Sequence, residues 1–115
     1  MINQIKYILS NQYNPYYNLA LEEYLLNTVE KGTCIFYLWQ NERTIVIGKN
    51  QNPWKECKVQ ELEDDGGYLV RRLSGGGAVF HDLGNLNFTF LLHKEDYNVD
   101  RQLEVILVAL GQLGI

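Results

Sequence analysis

The sequence has little cysteine and no surplus of basic residues. Its two cysteines, Cys34 and Cys57, lie in separate segments and form no C-x-x-C pair, so the pattern does not support a zinc site or a redox couple. Ten Lys and Arg against fourteen Asp and Glu give a formal net charge of −4. No overall positive field draws such a chain to nucleic acid or to anionic lipid. We therefore expect neither a nucleic-acid nor a membrane partner.

Long apolar runs are also missing. The N-terminus lacks a basic start followed by an extended apolar stretch, and no run of about 18 apolar residues occurs. We therefore expect a cytoplasmic protein. Apolar residues make up 46% and charged residues 21% of the 115 residues. This composition is typical of a folded chain and, at this length, of one domain with one core.

The start of the chain predicts a strand followed by a helix. Residues 5–9 are rich in β-branched and aromatic side chains, which favours a strand. Asn14 can cap a helix whose first turn holds Pro15. Five residues recur at helical spacing and form the predicted packing face: Tyr17, Leu21, Tyr24, Leu25 and Thr28. This arrangement turns Glu22 and Glu23 outward.

The middle of the chain predicts a hairpin and a short helix. Residues 34–39 and 44–48 are β-rich and are joined by four polar residues, a length and composition typical of a hairpin. Asn52 and Pro53 repeat the helix-start pattern. Residues 55–64 carry few apolar side chains, which predicts a short helix at the surface.

Three further strands are predicted. Residues 68–72 and 78–81 lie on either side of three glycines, and we expect them to form a hairpin around these glycines. In residues 86–92, Phe88 and Phe90 belong to an apolar set that alternates with the remaining positions. Because side chains alternate across a strand, one face of this segment is expected in the core.

The order of elements predicts the fold class. A final helix with apolar residues at helical spacing begins from a cap at Asn98 or Asp100. Predicted hairpins connect consecutive strands that crossover helices would connect in a doubly wound protein. We therefore expect an α+β domain with a mixed, mainly antiparallel sheet flanked by helices. The chain ends directly after the apolar helix, without a strand or a polar tail, so we expect a fragment of a longer domain.

Residues 71–85, RRLSGGGAVFHDLGN, combine glycines with charged side chains. Each glycine costs about 0.5–1 kcal/mol relative to alanine in regular structure, and a hairpin needs only one or two. No Lys-Ser/Thr pair follows them, which excludes a P-loop. Their N–H groups could form an anion-binding concavity, with Arg71 or Arg72 adding a charged donor. Strand alternation sends these two arginines to opposite faces, so one should point inward.

Structural explanations of the same segment stay open. A glycine-rich hairpin with solvated arginines accounts for its glycines and its charges. His81 and Asp82 could form a satisfied pair that only shapes the second turn. From these residues alone, a turn and a binding loop are about equally well supported.

The segment 71–85 resembles the signature of lipoate-protein ligases. Two further blocks match the same family in the same order: NLALEE at 18–23, and LWQN at 38–41 with VIGKNQNP at 46–53. The resemblance implies a fold shared with biotin ligases and, more distantly, with class II aminoacyl-tRNA synthetases. Residues 1–115 are then the N-terminal portion of a single lipoate ligase catalytic domain.

The resemblance also implies a reaction. Ligases of this family use ATP and Mg²⁺ to activate lipoate to an acyl adenylate. They then transfer the lipoyl group to a lysine of a lipoyl carrier domain, which belongs to a 2-oxoacid dehydrogenase complex or is the glycine cleavage H protein. Attack of a carboxylate on a phosphate builds up negative charge, which fixed backbone donors and a guanidinium can stabilise.

Site residues follow from their places in the family motifs. Arg72 is expected to stabilise charge at the phosphate and to contact both ATP and lipoate. The other residues expected to bind ATP are Gly77, Ala78, Val79, Phe80 and Asn85. The other residues expected near lipoate are Trp39, Ser74, Gly75, Gly76 and His81. Trp39 could equally be an ordinary core residue and Asn85 could simply cap a turn, and no metal ligand is identified.

One family feature is absent. The family carries a lysine, well downstream of the glycine motif, that contacts lipoate and the activated phosphate, and nothing here matches it. Lys94 lies in an acidic, polar loop. We therefore expect these residues alone to form an incomplete half-site, with the C-terminal part of the ligase as a partner. Two alternatives are an ATP-independent octanoyl or lipoyl transferase that uses a cysteine nucleophile, and a non-catalytic module that binds lipoate or a lipoyl domain.

Overall fold

A computed structural model describes residues 2–72 and 74–114. Met1, Ile115 and Leu73 of the glycine segment lie outside the described residues. In chain order the elements are β1 (Gln4–Leu9), α1 (Pro15–Thr28), β2 (Thr33–Trp39), β3 (Thr44–Ile47), α2 (Pro53–Glu56), α3 (Val59–Asp64), β4 (Tyr68–Arg71), β5 (Val79–His81), β6 (Asn87–Leu92), a 3₁₀ turn (Lys94–Asp96) and α4 (Val99–Gln112). None of the described helices is long and apolar enough to cross a membrane.

The strands form two small mixed sheets. In the first sheet β2 is central, parallel to β1 and antiparallel to β6. In the second sheet β3 is central, parallel to β4 and antiparallel to β5. The predicted α+β class with mixed pairing is confirmed. Parallel and antiparallel pairings are balanced among the described strands, however, and they are divided between two sheets.

The predicted hairpin of residues 34–39 with 44–48 is wrong. These strands become β2 and β3, which lie in different sheets. The four residues between them do not close a turn, because their polar groups bind elsewhere. Asn41 is completely buried, and the N–H of Glu42 donates to the carbonyl of Tyr13 at 3.0 Å. Anchored in this way, the connection carries the chain from one sheet to the other.

The predicted hairpin around the glycines is also wrong. β4 and β5 pair with opposite edges of β3, so they are not neighbours. The glycine segment therefore crosses over the end of β3 instead of folding back on itself. This crossing brings Gly76 against Gly48, the residue directly after β3.

Helix α1 covers one face of the first sheet and forms the core with it. Asn14 caps the helix, since its Oδ1 accepts from the N–H of Tyr16 at 2.9 Å, and Pro15 occupies the first turn as predicted. The buried core cluster consists of Leu25, Ile35, Tyr37, Trp39 and Leu91. The predicted helix face is rotated, because Tyr17 and Tyr24 are exposed whereas Glu22 lines an internal cavity.

The strand at 86–92 presents the opposite face to the core from the one expected. Leu91 is buried against α1, while Phe88 and Phe90 lie on the other face of the sheet, where their rings contact Phe36. Helix α4 begins at the predicted cap Asn98. Its apolar residues Leu103, Leu107 and Leu110 are exposed.

A buried amide holds together the loops that follow β1 and β2. Asn18 has no exposed surface. Its Nδ2 donates to the carbonyls of Gln12 at 3.0 Å and Gln40 at 2.8 Å and to Oδ1 of Asn41 at 3.0 Å. Its Oδ1 accepts from the hydroxyl of Ser10 at 2.6 Å. Buried polar groups are stabilising only when they are satisfied, so this network makes the loops depend on one side chain.

We predict that Asn18→Ala destabilises the protein by about 3 kcal/mol, because it leaves several buried donors and acceptors unpaired. The free energy of unfolding in urea measures the effect. Asn27→Ala, on an exposed position of the same helix, is the control and should change stability little. Similar losses for both variants would contradict the role assigned to the network.

Candidate functional site

A cavity of about 450 Å³ lies where α1 and the two sheets meet. Its apolar wall includes Leu19, Leu26, Trp39, Val46, Val79 and Leu91. Its polar groups belong to Glu22, Arg72, Ser74, His81, Asn87 and Thr89. A mostly apolar cavity with a few convergent polar groups is typical of a small-molecule site.

The residues expected at the site fall into three groups. Trp39, Arg72, Ser74, Val79 and His81 line the cavity. Gly75, Gly76, Gly77 and Ala78 form the exposed loop between Ser74 and β5. Phe80 and Asn85 belong to neither group. Phe80 lines a depression on the other side of β5, and Asn85 is connected to the cavity through its hydrogen bond to Asn87 at 3.1 Å.

The glycine loop combines free backbone N–H donors with a guanidinium that its carbonyls hold in place. Arg72 donates from Nε to the carbonyl of Gly75 at 3.2 Å and from Nη2 to that of Gly77 at 2.6 Å. The carbonyl of Ser74 accepts from the N–H of Lys49 at 2.9 Å. Within the described residues, no acceptor pairs with the N–H groups of residues 74–77. Unpaired backbone N–H groups can bind an anion, and Arg72 supplies a fixed positive charge in the same loop.

The two arginines separate as alternation predicts. Arg72 lines the cavity. Arg71 turns away, and its Nη1 donates to the carbonyls of Gly48 at 3.2 Å, Lys49 at 3.0 Å and Gln51 at 2.7 Å. Arg71 therefore holds the loop after β3 in place beneath the glycine segment, whereas Arg72 carries the charge at the site.

Close backbone approach explains one of the glycine positions. Gly48 is buried, and a Cβ at this position would collide with the carbonyl oxygen of Gly76. Gly76 itself has φ of 111°, and a Cβ there would lie 2.6 Å from Nη2 of Arg72. Gly75 and Gly77 have open space around them. The loop thus needs glycine where it touches Gly48 and Arg72.

Two cavity residues that the sequence patterns missed, Thr89 and Glu22, form a hydrogen-bonded chain with Trp39. Nε1 of Trp39 donates to the hydroxyl of Thr89 at 3.1 Å, and that hydroxyl donates to Oε2 of Glu22 at 2.8 Å. Burial raises the pKa of the Glu22 carboxyl, and the hydrogen bond from Thr89 partly offsets the increase. The indole of Trp39 is therefore fixed at the cavity wall by a polar partner, in addition to its place in the core.

Asn87 is the other missed polar residue. Its Oδ1 accepts from Nδ2 of Asn85 at 3.1 Å. Its own Nδ2 is buried and has no partner among the described residues. Since an unpaired buried donor costs free energy, a ligand acceptor in the cavity would satisfy it.

His81 faces Trp39 from the end of β5. The two rings meet edge to face with centroids 6.2 Å apart, and Nδ1 of His81 lies 3.1 Å from Nδ2 of Asn41. Burial lowers the pKa of the His81 ring, and the positive charge of Arg72 lowers it further. The ring is therefore held neutral at physiological pH.

Protein ligands for a metal are not grouped at this site. Within residues 2–72 and 74–114, no three His, Cys, Asp or Glu side chains lie close enough together to hold a metal ion. The cysteines also lie outside the cavity. Burial raises the pKa of the Cys34 thiol, and Cys57 donates to the carbonyl of Pro53 at 3.4 Å.

We predict that Gly48→Ala destabilises the protein by about 1–3 kcal/mol, because the new methyl group forces the Gly76 backbone away. Thermal unfolding measures this change. Gly75→Ala, at a position of the same loop with open space, is the matched control. The explanation fails if the two variants lose equal stability.

We predict that Glu22→Gln becomes progressively more stable than the native protein as the pH rises from acid to neutral. The raised pKa means that the folded protein binds this proton more tightly than the unfolded chain, so native stability falls as the pH rises through the raised value. The amide cannot ionise and avoids this loss. Urea unfolding at several pH values measures the difference.

The exposed neighbour Glu23 provides the control, since Glu23→Gln removes the same charge without burial. A pH-independent difference between Glu22→Gln and the native protein would contradict the buried, ionisable role of Glu22.

Comparison with known proteins places this chain in a family. Residues 14–115 match the family described as lipoyl protein ligase A/B catalytic domain. Lipoate-protein ligase A of Psychrobacter cryohalolentis is 52% identical over 102 residues, which cover 89% of this chain and 30% of the relative. Lipoate-protein ligase A of Bdellovibrio bacteriovorus is 46% identical over 114 residues, which cover 99% of this chain and 34% of the relative. The chain thus spans about a third of the length of these curated relatives.

Solved structures agree with the match. P. falciparum LipL1 in complex with lipoate superposes with a TM-score of 0.69 at 42% identity, covering 75% of this chain and 30% of that one. Lipoate-protein ligase A bound with ATP superposes with a TM-score of 0.73 at 28% identity, covering 89% of this chain and 41% of that one. The bipartite lipoate protein ligase of Thermoplasma acidophilum was studied with its E2 lipoyl domain. It superposes with a TM-score of 0.76 at 27% identity, covering 90% of this chain and 41% of that one. Sequence and fold therefore assign this chain to the lipoyl protein ligase A/B catalytic domain family.

Proposed function

We propose that the protein containing these residues activates lipoate with ATP to lipoyl-adenylate and transfers the lipoyl group to a lysine of a lipoyl carrier domain. One observation carries the proposal, namely that an apolar cavity and a loop suited to an anion are adjacent. An apolar cavity opens beside a loop that has free N–H groups and a fixed guanidinium. An acid with an apolar tail needs the cavity for its tail. Its carboxylate and the phosphate that it attacks need the donors and the positive charge of the loop.

Lipoate is proposed to occupy the cavity. Its aliphatic part would lie against Trp39, and its carboxylate would lie towards Arg72, Ser74 and His81, with Gly75 and Gly76 beside it. The volume of about 450 Å³ falls within the range of roughly 300–1,000 Å³ that is usual for small-molecule sites. A structural neighbour bound to lipoate supports this assignment.

ATP is proposed to bind at the loop side of the cavity. Arg72 and the backbone of Gly77 and Ala78 would contact its phosphates, and Val79, Phe80 and Asn85 would complete the nucleotide contacts that the motif implies. A neighbour bound with ATP supports this half of the proposal. Phe80 and Asn85 are not among the residues that line the cavity, so their contacts would be with the parts of the nucleotide farthest from lipoate.

The chain's own residues would act mainly by electrostatics. When the carboxylate attacks the α-phosphate, negative charge develops between two anions, and fixed donors lower the energy of that state. Arg72 is already held by two loop carbonyls, so little reorganisation is needed. Mg²⁺ would supply further positive charge at the phosphates. Because the described residues offer no three-ligand cluster, no step is assigned to a metal held by this chain.

The chain is proposed to form the N-terminal portion of a single catalytic domain. It spans about a third of its curated relatives. Exposed apolar side chains on β1 and α4, such as Ile5, Leu9 and Leu107, support a larger assembled domain. The rest of the ligase, including the family lysine, would close the other side of the site, so these residues alone would be an incomplete half-site.

The carrier domain is proposed to be that of a 2-oxoacid dehydrogenase complex or the glycine cleavage H protein. Its lysine would approach the adenylate once formed. The archaeal neighbour that was studied with its E2 lipoyl domain supports such a partner. A cytoplasmic location remains part of this proposal.

We predict that Arg72→Ala in the full-length protein lowers lipoate-dependent ATP–pyrophosphate exchange by about 10²–10³-fold, as for loss of one transition-state donor. Arg101→Ala, which removes an exposed arginine of α4, is the matched control and should retain the native rate. Unfolding of both variants is measured in parallel, because Arg72 also braces the glycine loop.

The exchange assay also separates the alternatives. Activity that is independent of ATP and blocked by a thiol reagent would select the transferase. Lipoate binding without exchange, even with the downstream polypeptide supplied, would select a binding module. Native exchange by Arg72→Ala would overturn the role of this residue.

A further inference from the structure

The orientation of two buried amides can be deduced from their partners. Nδ2 of Asn18 faces the carbonyls of Gln12 and Gln40. Because a carbonyl can only accept, the group facing both must be the NH₂. The same NH₂ faces one side-chain atom of Asn41 at 3.0 Å, and that atom must therefore be an acceptor, Oδ1.

The orientation of Asn41 determines the state of His81. With Oδ1 of Asn41 turned to Asn18, its Nδ2 faces Nδ1 of His81 at 3.1 Å. The NH₂ of Asn41 is a donor, so Nδ1 must accept and cannot carry a proton. A neutral imidazole carries one proton, which is then on Nε2.

The second ring nitrogen of His81 is free to meet a ligand. Among the described residues, Nδ1 is the one ring nitrogen with a hydrogen-bond partner. Nε2 is not completely buried, and His81 lines the cavity. A ligand in the cavity can therefore reach this nitrogen. The ring is held from two sides, by the edge-to-face contact with Trp39 and by the hydrogen bond from Asn41.

We infer that Asn41 is a positioning residue that holds His81 in the Nε2–H tautomer, so that the ring presents one hydrogen-bond donor to an acyl oxygen of the substrate. The identity of the acyl ligand rests on the proposed function. The tautomer does not, since it follows from the chain of hydrogen bonds that ends at two backbone carbonyls.

This tautomer suits the site chemically. The neutral Nε2–H group donates without adding charge, and the lowered pKa of the ring is consistent with a neutral donor beside Arg72. The other tautomer would present a lone pair to the substrate carboxylate, and two acceptors repel each other. By fixing this tautomer, Asn41 favours a ligand that places a hydrogen-bond acceptor, and disfavours one that places a donor, at this point of the cavity.

Histidine nitrogen NMR tests the tautomer directly. The full-length protein is labelled with ¹⁵N in histidine, and the signals of His81 are identified by their loss in His81→Gln. At about pH 9, well above the ordinary histidine pKa, we expect a protonated Nε2 and an unprotonated Nδ1. A protonated Nδ1, or an even mixture of the two forms, would overturn the inference without bearing on ligase activity.

Asn41→Asp tests the consequence for binding. The variant has nearly the same shape but faces Nδ1 with an acceptor. At about pH 9, where the ring is neutral, the proton should move to Nδ1 and calorimetric binding of lipoate should weaken about tenfold. Asn11→Asp adds the same charge at an exposed position and should bind lipoate as the native protein does.

A double-mutant cycle separates positioning from charge. If Asn41 acts through His81, the weakening caused by Asn41→Asp should largely disappear in a His81→Phe background, where no ring nitrogen is left to orient. An equal weakening in both backgrounds would show that Asn41 does not act through His81 and would overturn its positioning role. If Asn41→Asp fails to fold, the native ¹⁵N measurement still decides the tautomer. A native protein with the Nε2–H tautomer but no lipoate binding would overturn the proposed substrate instead.

Discussion

The buried amide of Asn18 is the constraint on which the rest of the structure depends. It joins the connection after β1, the connection after β2 and, through Asn41, the end of β5. A buried amide loses its water and must recover all its hydrogen bonds inside the protein. Its bonds tie α1 to the connection between β2 and β3, two strands that lie in different sheets. The cavity lies where α1 and these sheets meet.

Charge and backbone geometry then determine what the cavity can hold. The glycine segment crosses over β3 and packs against Gly48, which leaves its N–H groups unpaired. Arg72 neutralises the inward carbonyls and adds a permanent positive charge. Opposite this polar edge, Trp39 is held by Thr89 and Glu22. The site therefore has an anion-binding end and an apolar end, as the proposed binding of an acyl phosphate with an apolar tail requires.

Local patterns predicted most elements correctly, because their signals lie within a few residues. The helix caps at Asn14 and Asn98 are where the chain chemistry indicates, and the alternation of Arg71 and Arg72 correctly predicts that only one of them enters the cavity. Pairing between strands was less predictable. A four-residue polar connection is typical of a hairpin, and nothing local reveals that Asn41 is bound to residues 23 and 40 positions away.

The sequence by itself determined the α+β class, the elements, the glycine loop and the family, since each is written in short runs of residues. The tertiary structure alone decided which face of α1 is buried, that Glu22 and Asn87 enter the cavity, and that β4 and β5 lie on opposite edges of β3. The physical reason is the cost of burying polar groups. The periods of helices and strands show which residues can share a face. The face that is buried is the one whose polar atoms find hydrogen-bond partners. Those partners are distant in the chain, so local patterns do not reveal them.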